Sequence, residues 1–311
     1  MIVRLALHAM ATRFELVLDG PDAVALRAAG EEALEIIAEF DQRLSLFNKQ
    51  SMLSFINTTA ANRPVVLDDD LLELLTLCHQ VHAQSHGAFD VTVGPLMRSL
   101  GFHDRPGPDG PIGSEHVLLD PANRTIRFDR QGIEIDLGAI AKGAALDAAA
   151  SILKECGIER ALIHGGTSTA IAIGSPPDLP GWRIKIADGP TVMLRDAAVS
   201  VSAPHGRMIQ TEQGTVGHVL DPRLGQSAVG ATAAVVIGPT AALADAWSTA
   251  LLVLKAPPDS IPDSLTTCIN LGEKGAPDWS VHGADPSRFT FDTSRNLEIS
   301  PQCQLQTVER S

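Results

Sequence analysis

The sequence has no stretch of about eighteen uninterrupted apolar residues, no excess of basic charge, no CxxC pair and no tyrosine. Without the long apolar stretch there is no candidate membrane-spanning helix, although apolar residues make up 44% of the chain. Lysine and arginine number 24 against 37 acidic residues, a formal charge of −13. That balance repels phosphate backbones and anionic headgroups, and no local basic patch reverses it, so neither nucleic acid nor a membrane surface is expected as a partner. The four cysteines, Cys78, Cys156, Cys268 and Cys303, stand far apart. They read as reduced thiols, not as zinc ligands or disulfides. The opening MIVRLALHAM carries one arginine and an apolar run too short for a secretion signal, and no small-residue cleavage site follows. The expected compartment is the cytoplasm. With 311 residues, the chain can bury a sizeable core without disulfide staples.

Two β-like runs open the chain, Val3 to Leu7 and Phe14 to Leu18, with Met10, Ala11 and Thr12 as a turn between them. Ala33, Ile37, Phe40 and Leu44 then recur at helical spacing, which predicts an amphipathic helix within Val24 to Leu46. The run Asp68, Asp69, Asp70 supplies a cap for a second helix, whose face is Leu71, Leu74, Leu75, Cys78 and Val81 and which Gly87 ends. The Pro- and Gly-rich stretch from Arg105 to Gly113 predicts a surface loop and a candidate subdomain junction. Strands are expected at Val117 to Leu119, Thr125 to Phe128 and Ile133 to Leu137, followed by a helix from Ile140 to Cys156. Further strands are expected at Ala161 to Ile163, Thr169 to Ile173, Trp182 to Ala187, Ala198 to Ser202 and Ala233 to Ile237, and a last helix from Thr240 to Leu254. So many strands imply a sizeable antiparallel or mixed sheet flanked by helices, an α+β fold. Past Pro257 only Thr267 to Leu271 reads as a strand, which suggests a domain over residues 1–256 and a C-terminal extension over 257–311 with a peripheral tail.

Five stretches carry candidate chemistry. In TAALADAWSTALLVL, Asp245 and Thr249 lie four residues apart, so their oxygens project from one face of an otherwise apolar helix. A carboxylate and a hydroxyl there suit Mg²⁺, which takes one or two protein carboxylates and completes its shell with water and phosphate oxygens. The alternative is a capping or packing aspartate with a threonine bonded back to a carbonyl. DLGAIAKGAALD, Asp136 to Asp147, sets small residues and the lone Lys142 at a helix start, where backbone N–H groups and the ammonium can face a phosphate or pyrophosphate. The same small residues also suit close helix-to-sheet packing, and the GxxxxGK spacing of a P-loop is absent. HGGTSTAIAIG, His164 to Gly174, places Gly165 and Gly166 directly after a strand, either to meet a ring or phosphate or as an ordinary turn. GHVLDPRLGQ sets His218 three residues before Asp221; the histidine is a base, a hydrogen-bond donor to a ligand, or a structural turn residue. GAFDVTVGPL, Gly87 to Leu96, offers Phe89 to an apolar pocket and Asp90 and Thr92 as hydrogen-bonding groups before a Gly-Pro turn, or else is a helix C-cap and a buried strand.

Taken in this order, the stretches resemble the ApbE family of FAD:protein FMN transferases over roughly Met10 to Leu254. DLGAIAKGAALD is similar to that family's DLGGIAKGYAVD, HVLDPRLG to HIIDPRTG, and ADAWSTAL to ADALSTAL, while GAFDVTVGPL and MATRFEL also match. The resemblance implies an ApbE-like, T-fold-related architecture and Mg²⁺-dependent transfer of FMN from FAD to a Ser or Thr hydroxyl of a target flavoprotein, with release of AMP. It implies Asp245, Thr249 and the Ala141 carbonyl as metal ligands, Lys142 near the phosphates, and His218 and Asp221 in the loop that closes the active site, one of them orienting or deprotonating the acceptor. Met10, the turn of Gly165, Gly166 and Thr167, and Ser202 would border the cofactor. The chain departs from the pattern at Thr167, where Asp or Asn is common, at Ala203, which replaces a usual Gly, and at Phe47, where Tyr is common. These departures keep open a catalytically silent FAD-binding protein, and the same site with water as acceptor would make an Mg²⁺-dependent FAD pyrophosphatase.

Overall fold

A computed structural model describes residues 1–103, 107, 109–187, 189–204, 206, 208–211, 214–273, 276–291 and 305–307. The chain opens with β1 (Ile2–Ala9), β2 (Thr12–Asp19), α1 (Ala23–Leu44), α2 (Met52–Thr59), β3 (Val65–Val66), α3 (Asp69–Gln84) and α4 (Gly94–Ser99). It continues through β4 (Val117–Asp120), β5 (Thr125–Phe128), α5 (Ala141–Glu155), β6 (Ala161–Gly165), β7 (Thr169–Ile173), β8 (Trp182–Ile186), β9 (Thr191–Leu194) and β10 (Ala197–Ser202). The last part holds β11 (Met208–Thr211), β12 (Gly214–Gly217), β13 (Leu220–Asp221), β14 (Gln226–Ser227), β15 (Ala233–Gly238), α6 (Ala241–Leu254), β16 (Thr266–Asn270), β17 (Trp279–Gly283), β18 (Phe289–Thr290) and β19 (Leu305–Thr307).

Eight strands form one antiparallel sheet in the order β1-β2-β6-β7-β10-β15-β16-β17. On one face lie α1, α5 and α6, which share a core with Phe14, Leu16, Ile163, Ile171 and Val236. On the other lies a smaller sheet, β18-β9-β8-β19, packed on Leu162, Val199, Val235 and Cys268. The central strands are therefore covered on both sides, and β7 and β15 are buried at every residue. α6 is buried almost all round, as expected of a helix whose polar residues are few. Local chemistry sets the helix starts. The Asp22 carboxylate accepts from Val24 N and Ala25 N at the head of α1, and Asp68 accepts from Leu71 N at 2.9 Å at the head of α3. Among the described residues no helix is long and apolar enough to cross a membrane. Cys78, Cys156 and Cys268 are free thiols, and Cys303 lies outside the described residues.

Several expectations change in detail. Ile133 to Leu137 is no strand: Ile135 N donates to Asn57 Oδ1 and its carbonyl accepts from Asn57 Nδ2, so a side chain of α2 takes the place of a ladder partner. Gly94-Pro95 starts α4 and is not a turn, since proline early in a helix loses no hydrogen bond. α2, eight residues long, is too short for an amphipathic period to declare itself. Past residue 257 the sheet gains two strands, β16 and β17, where one was expected, and β18 joins the smaller sheet, so no break in the sheet marks that boundary. Of the loop from 105 to 113, residues 107 and 109–113 carry no regular structure, and the others lie outside the described residues.

In the GAFDVTVGPL stretch, the loop that leads into α4 is organised by one carboxylate. Asp90 accepts from Thr92 N at 2.7 Å, Thr92 Oγ1 at 2.6 Å and both the N–H and hydroxyl of Ser114 at 3.1 Å. His82 Nδ1 stands 3.2 Å from Asp90 and 3.1 Å from the Phe89 carbonyl, two acceptors that require this nitrogen to carry the proton. Burial pushes the Asp90 carboxyl up, but the hydrogen bonds from His82 and Thr92 outweigh it and the net direction is down; the same pairing raises His82. The Asp90 contribution is present above its ordinary 3.8 and lost as pH falls through its lowered value, whereas that of His82 is present below 6.5 and lost as pH rises through its raised value. Asp90→Asn is expected to cost about 3 kcal/mol in urea denaturation. Its deficit against the wild type should be greatest near pH 5 to 6, between those two ordinary values, and smaller on either side.

Candidate active site

The site lies where the starts of α5 and α6 meet. The side chain of Ile140, the residue before α5, makes no capping hydrogen bond, and the helix begins directly after the loop from Asp136 to Ile140. Gly143, in its first turn, lies against α6: a Cβ built there would stand 2.5 Å from the Ala241 carbonyl carbon and 2.6 Å from Ala242 Cα. Glycine is what allows the contact. One turn later Asp147 accepts from Ala241 N at 2.7 Å and Ala242 N at 2.8 Å, while Thr240 Oγ1 accepts from Leu243 N. Three of the four orphan N–H groups at the head of α6 are thereby satisfied, two of them from α5. Burial outweighs those hydrogen bonds and pushes the Asp147 carboxyl up to about 6, with the nearby Asp245 charge adding to the rise.

Asp245, only 4% exposed, is the centre of the arrangement. A buried carboxylate needs a full set of donors, and here four surround it. Thr169 Oγ1 and Ser200 Oγ donate to Oδ1 at 3.1 and 2.9 Å, while Lys142 Nζ and Gly143 N donate to Oδ2 at 3.3 and 3.2 Å. Ser200 and Thr169 are register partners on β10 and β7, so the pleat delivers both hydroxyls to one spot on the helix-facing side. From there hydroxyls continue outward: Ser248 donates to Ser200 at 3.2 Å, Ser202 and Ser248 share a bond at 2.8 Å, and Ser202 and Thr249 lie 3.3 Å apart. Thr249 also reaches the Asp245 carbonyl at 3.3 Å, the back-bond of the purely structural reading, yet it belongs to the same cluster.

Four of the expected residues, Lys142, Ser202, Asp245 and Thr249, thus fall within one hydrogen-bonded cluster, with Ala141 at the adjoining helix start. Thr169, Ser200 and Ser248 were not singled out in sequence. Their signal was present in β10, where Val199 and Val201 face the second core while Ser200 and Ser202 occupy helix-facing positions that an ordinary strand fills with apolar side chains. The donor set is all oxygen, as Mg²⁺ prefers. Among the described residues no group of three His, Cys, Asp or Glu side chains converges, so a cation here draws on one carboxylate and neutral oxygens.

The remaining expected residues lie on separate loops. Met10 and Ala11 form the two-residue turn between β1 and β2 with φ of 49° and 56°, a geometry that glycine and asparagine favour and that costs other residues roughly 1 kcal/mol each. Beside it, Gly166 has φ +62°, and its N–H donates to Arg13 O at 2.8 Å, while Thr167 is exposed at the tip of the β6–β7 hairpin. His218, half-buried, follows the β11–β12 hairpin, with its ring against Gly206. Asp221 is buried and held by its own loop: Arg223 donates Nε to Oδ1 at 2.9 Å and Nη2 to Oδ2 at 2.8 Å, and that fork holds the carboxyl below its ordinary value. Phe47 is exposed and meets His103 edge-on, with centroids 5.5 Å apart.

A helix start bearing one lysine beside an oxygen-only donor set is the equipment of an enzyme that handles a nucleotide's phosphates. The chain belongs to the ApbE family, whose pattern matches residues 10–261. It is 29% identical over 265 residues to a FAD:protein FMN transferase of Klebsiella pneumoniae, covering 76% of this chain and 73% of that protein. It is also 26% identical over 268 residues to the Escherichia coli K12 FAD:protein FMN transferase, covering 79% and 76%. Among solved structures it superposes on the ApbE protein of Thermotoga maritima with a TM-score of 0.76 at 25% identity, over 92% of this chain and 97% of that one. It shares the fold of the Vibrio cholerae flavin transferase ApbE, with a TM-score of 0.78 at 21% identity, over 93% and 99%.

Gly143→Ala should force α5 and α6 apart at the Ala241 backbone and withdraw the Gly143 N–H from Asp245. The expected outcome is a Tm several degrees lower, on the order of 2 kcal/mol, together with at least a tenfold loss of FAD affinity by fluorescence titration. A variant with wild-type Tm and affinity would show that this contact does not hold the site together.

Proposed function

We propose that the protein transfers FMN from FAD to a serine or threonine hydroxyl of a target flavoprotein and releases AMP, with Mg²⁺ held by Asp245, Thr249 and the Ala141 carbonyl. The observation that carries this reading is the single cluster in which Lys142, Ser202 and Thr249 gather around the buried Asp245. When bound, the cation supplies charge neutralisation on the pyrophosphate oxygens. Lys142, in the first turn of α5, adds a second positive charge. In the reaction the acceptor oxygen bonds to the FMN-side phosphorus, the bond from that phosphorus to the bridging oxygen breaks, and the bridging oxygen leaves with AMP. The acceptor proton needs a base. His218 takes that role in this reading, because both Asp221 oxygens accept from Arg223 and its depressed pKa makes it a poor proton acceptor. Asp221 then shapes the loop that carries His218. Met10, Gly165, Gly166 and Thr167 line the approach for the cofactor's rings.

Incubation with FAD, Mg²⁺ and a flavoprotein carrying an exposed Ser or Thr acceptor, read by mass spectrometry and AMP release, tests this function. A covalent flavin adduct with equimolar AMP is expected. Free FMN and AMP without adduct would mean a pyrophosphatase, and FAD binding without AMP would mean a silent flavin binder.

Two substitutions test the metal ligands. FAD should raise the Tm more with Mg²⁺ than with EDTA, and Asp245→Ala should abolish most of that difference. Thr249→Val keeps volume and branching but removes the hydroxyl, so transfer should fall at least tenfold, about 1.4 kcal/mol, with partial rescue by extra Mg²⁺. Full activity with an unchanged Mg²⁺ requirement would assign Thr249 to helix packing alone.

A further inference from the structure

The Asp245 carboxylate already has as many donors as it has lone-pair sites, two on each oxygen. A cation that takes Asp245 as a ligand must therefore displace at least one of them. The four are not equally free to leave. The Gly143 N–H is fixed by the first turn of α5, and Thr169 and Ser200 are fully buried on neighbouring strands, with their oxygens 3.2 Å apart. Lys142 alone sits on a flexible stem with 22% of its side chain exposed, against 5% for that of Asp245. Its ammonium thus occupies the solvent side of Asp245, the side from which a cation arrives.

We propose that Lys142 is the resident counter-ion of the metal site: it neutralises Asp245 in the metal-free protein, competes with the cation for Oδ2, and on displacement delivers its charge to the pyrophosphate. This rests on the metal reading above. It gives one residue two positions, and it makes metal and FAD binding mutually reinforcing, because the cation that enters releases an ammonium for the anionic substrate. A lysine that only binds phosphate predicts no effect on cation affinity in the absence of FAD, or a loss of it through general damage. A competing lysine predicts the opposite sign.

The test is Lys142→Met, which keeps the aliphatic stem, with Lys142→Gln as a second neutral variant and Lys142→Arg as the charge-preserving control. Mg²⁺ binding is measured without FAD by calorimetry and by thermal shift. Both neutral variants should have a lower Tm than the wild type in EDTA, gain more Tm from Mg²⁺, and bind Mg²⁺ about fivefold more tightly, while Lys142→Arg stays at the wild-type value. FAD titrations with and without Mg²⁺ should then show a smaller metal-induced gain in the neutral variants. Equal or weaker Mg²⁺ binding by folded Lys142→Met and Lys142→Gln would overturn the proposal and leave the metal ligands standing. Absence of any Mg²⁺ effect on the wild type, with or without FAD, would remove the metal reading itself and this inference with it.

Discussion

Everything near the site follows from one constraint: a carboxylate in the interior must be surrounded by donors. Asp245 sits on a largely apolar helix whose Ser248 and Thr249 hydroxyls reach its backbone carbonyl and not its carboxylate. Its donors come from α5, from β7 and from β10, three elements far apart in sequence, and each must reach within hydrogen-bond distance at once. The tight contact of Gly143 with α6, the two serines on the helix-facing side of β10 and the register of Thr169 opposite Ser200 are all consequences of that demand. Removing one partner from such a set leaves a buried charge underpaired, which is why the elements that supply the donors are placed so closely.

The fold was largely legible because its strongest elements carry a clear period. α1, α3, α5 and α6 start and stop within about two residues of where capping and apolar spacing place them, as helix boundaries usually do. Elements whose partner is a side chain or a remote strand were not legible. Nothing local in Ile133 to Leu137 reveals that Asn57 would occupy its backbone groups, and nothing in Trp279 to Gly283 reveals that β16 would accept a further neighbour.

The site was legible in a different way. Asp245, Thr249 and Lys142 stand out as candidates by residue type and spacing, and the motif resemblance is what favours ligation, since a single Asp-to-Thr spacing of four on a helix is as consistent with packing. The hydroxyls of Thr169, Ser200 and Ser248 escaped notice because serine and threonine are unremarkable in strands and at helix surfaces. Only the assignment of strand faces turns Ser200 and Ser202 into an anomaly, and that assignment needs the other sheet layer.

Four of the five motifs contain an aspartate anchored by several hydrogen-bond donors. Asp90 gathers Thr92, Ser114 and His82, Asp147 holds two N–H groups of α6, Asp221 closes on Arg223, and Asp245 takes the hydroxyls and Lys142. The Arg223 stem and the His82 ring both lie beside Gly87, whose left-handed backbone favours glycine. In a chain of net charge −13 such fixed carboxylates are a natural means of ordering loops. What separates Asp245 from the other three is the kind of donor, not its burial. The fork on Asp221 comes from the same loop and the donors on Asp147 are helix backbone, whereas Asp245 is paired with an ammonium on a flexible, partly exposed stem from another helix. On the exchange proposed above, a buried carboxylate with one removable donor is held ready for replacement of that donor, and this asymmetry would distinguish a ligand from an anchor when both are equally well satisfied.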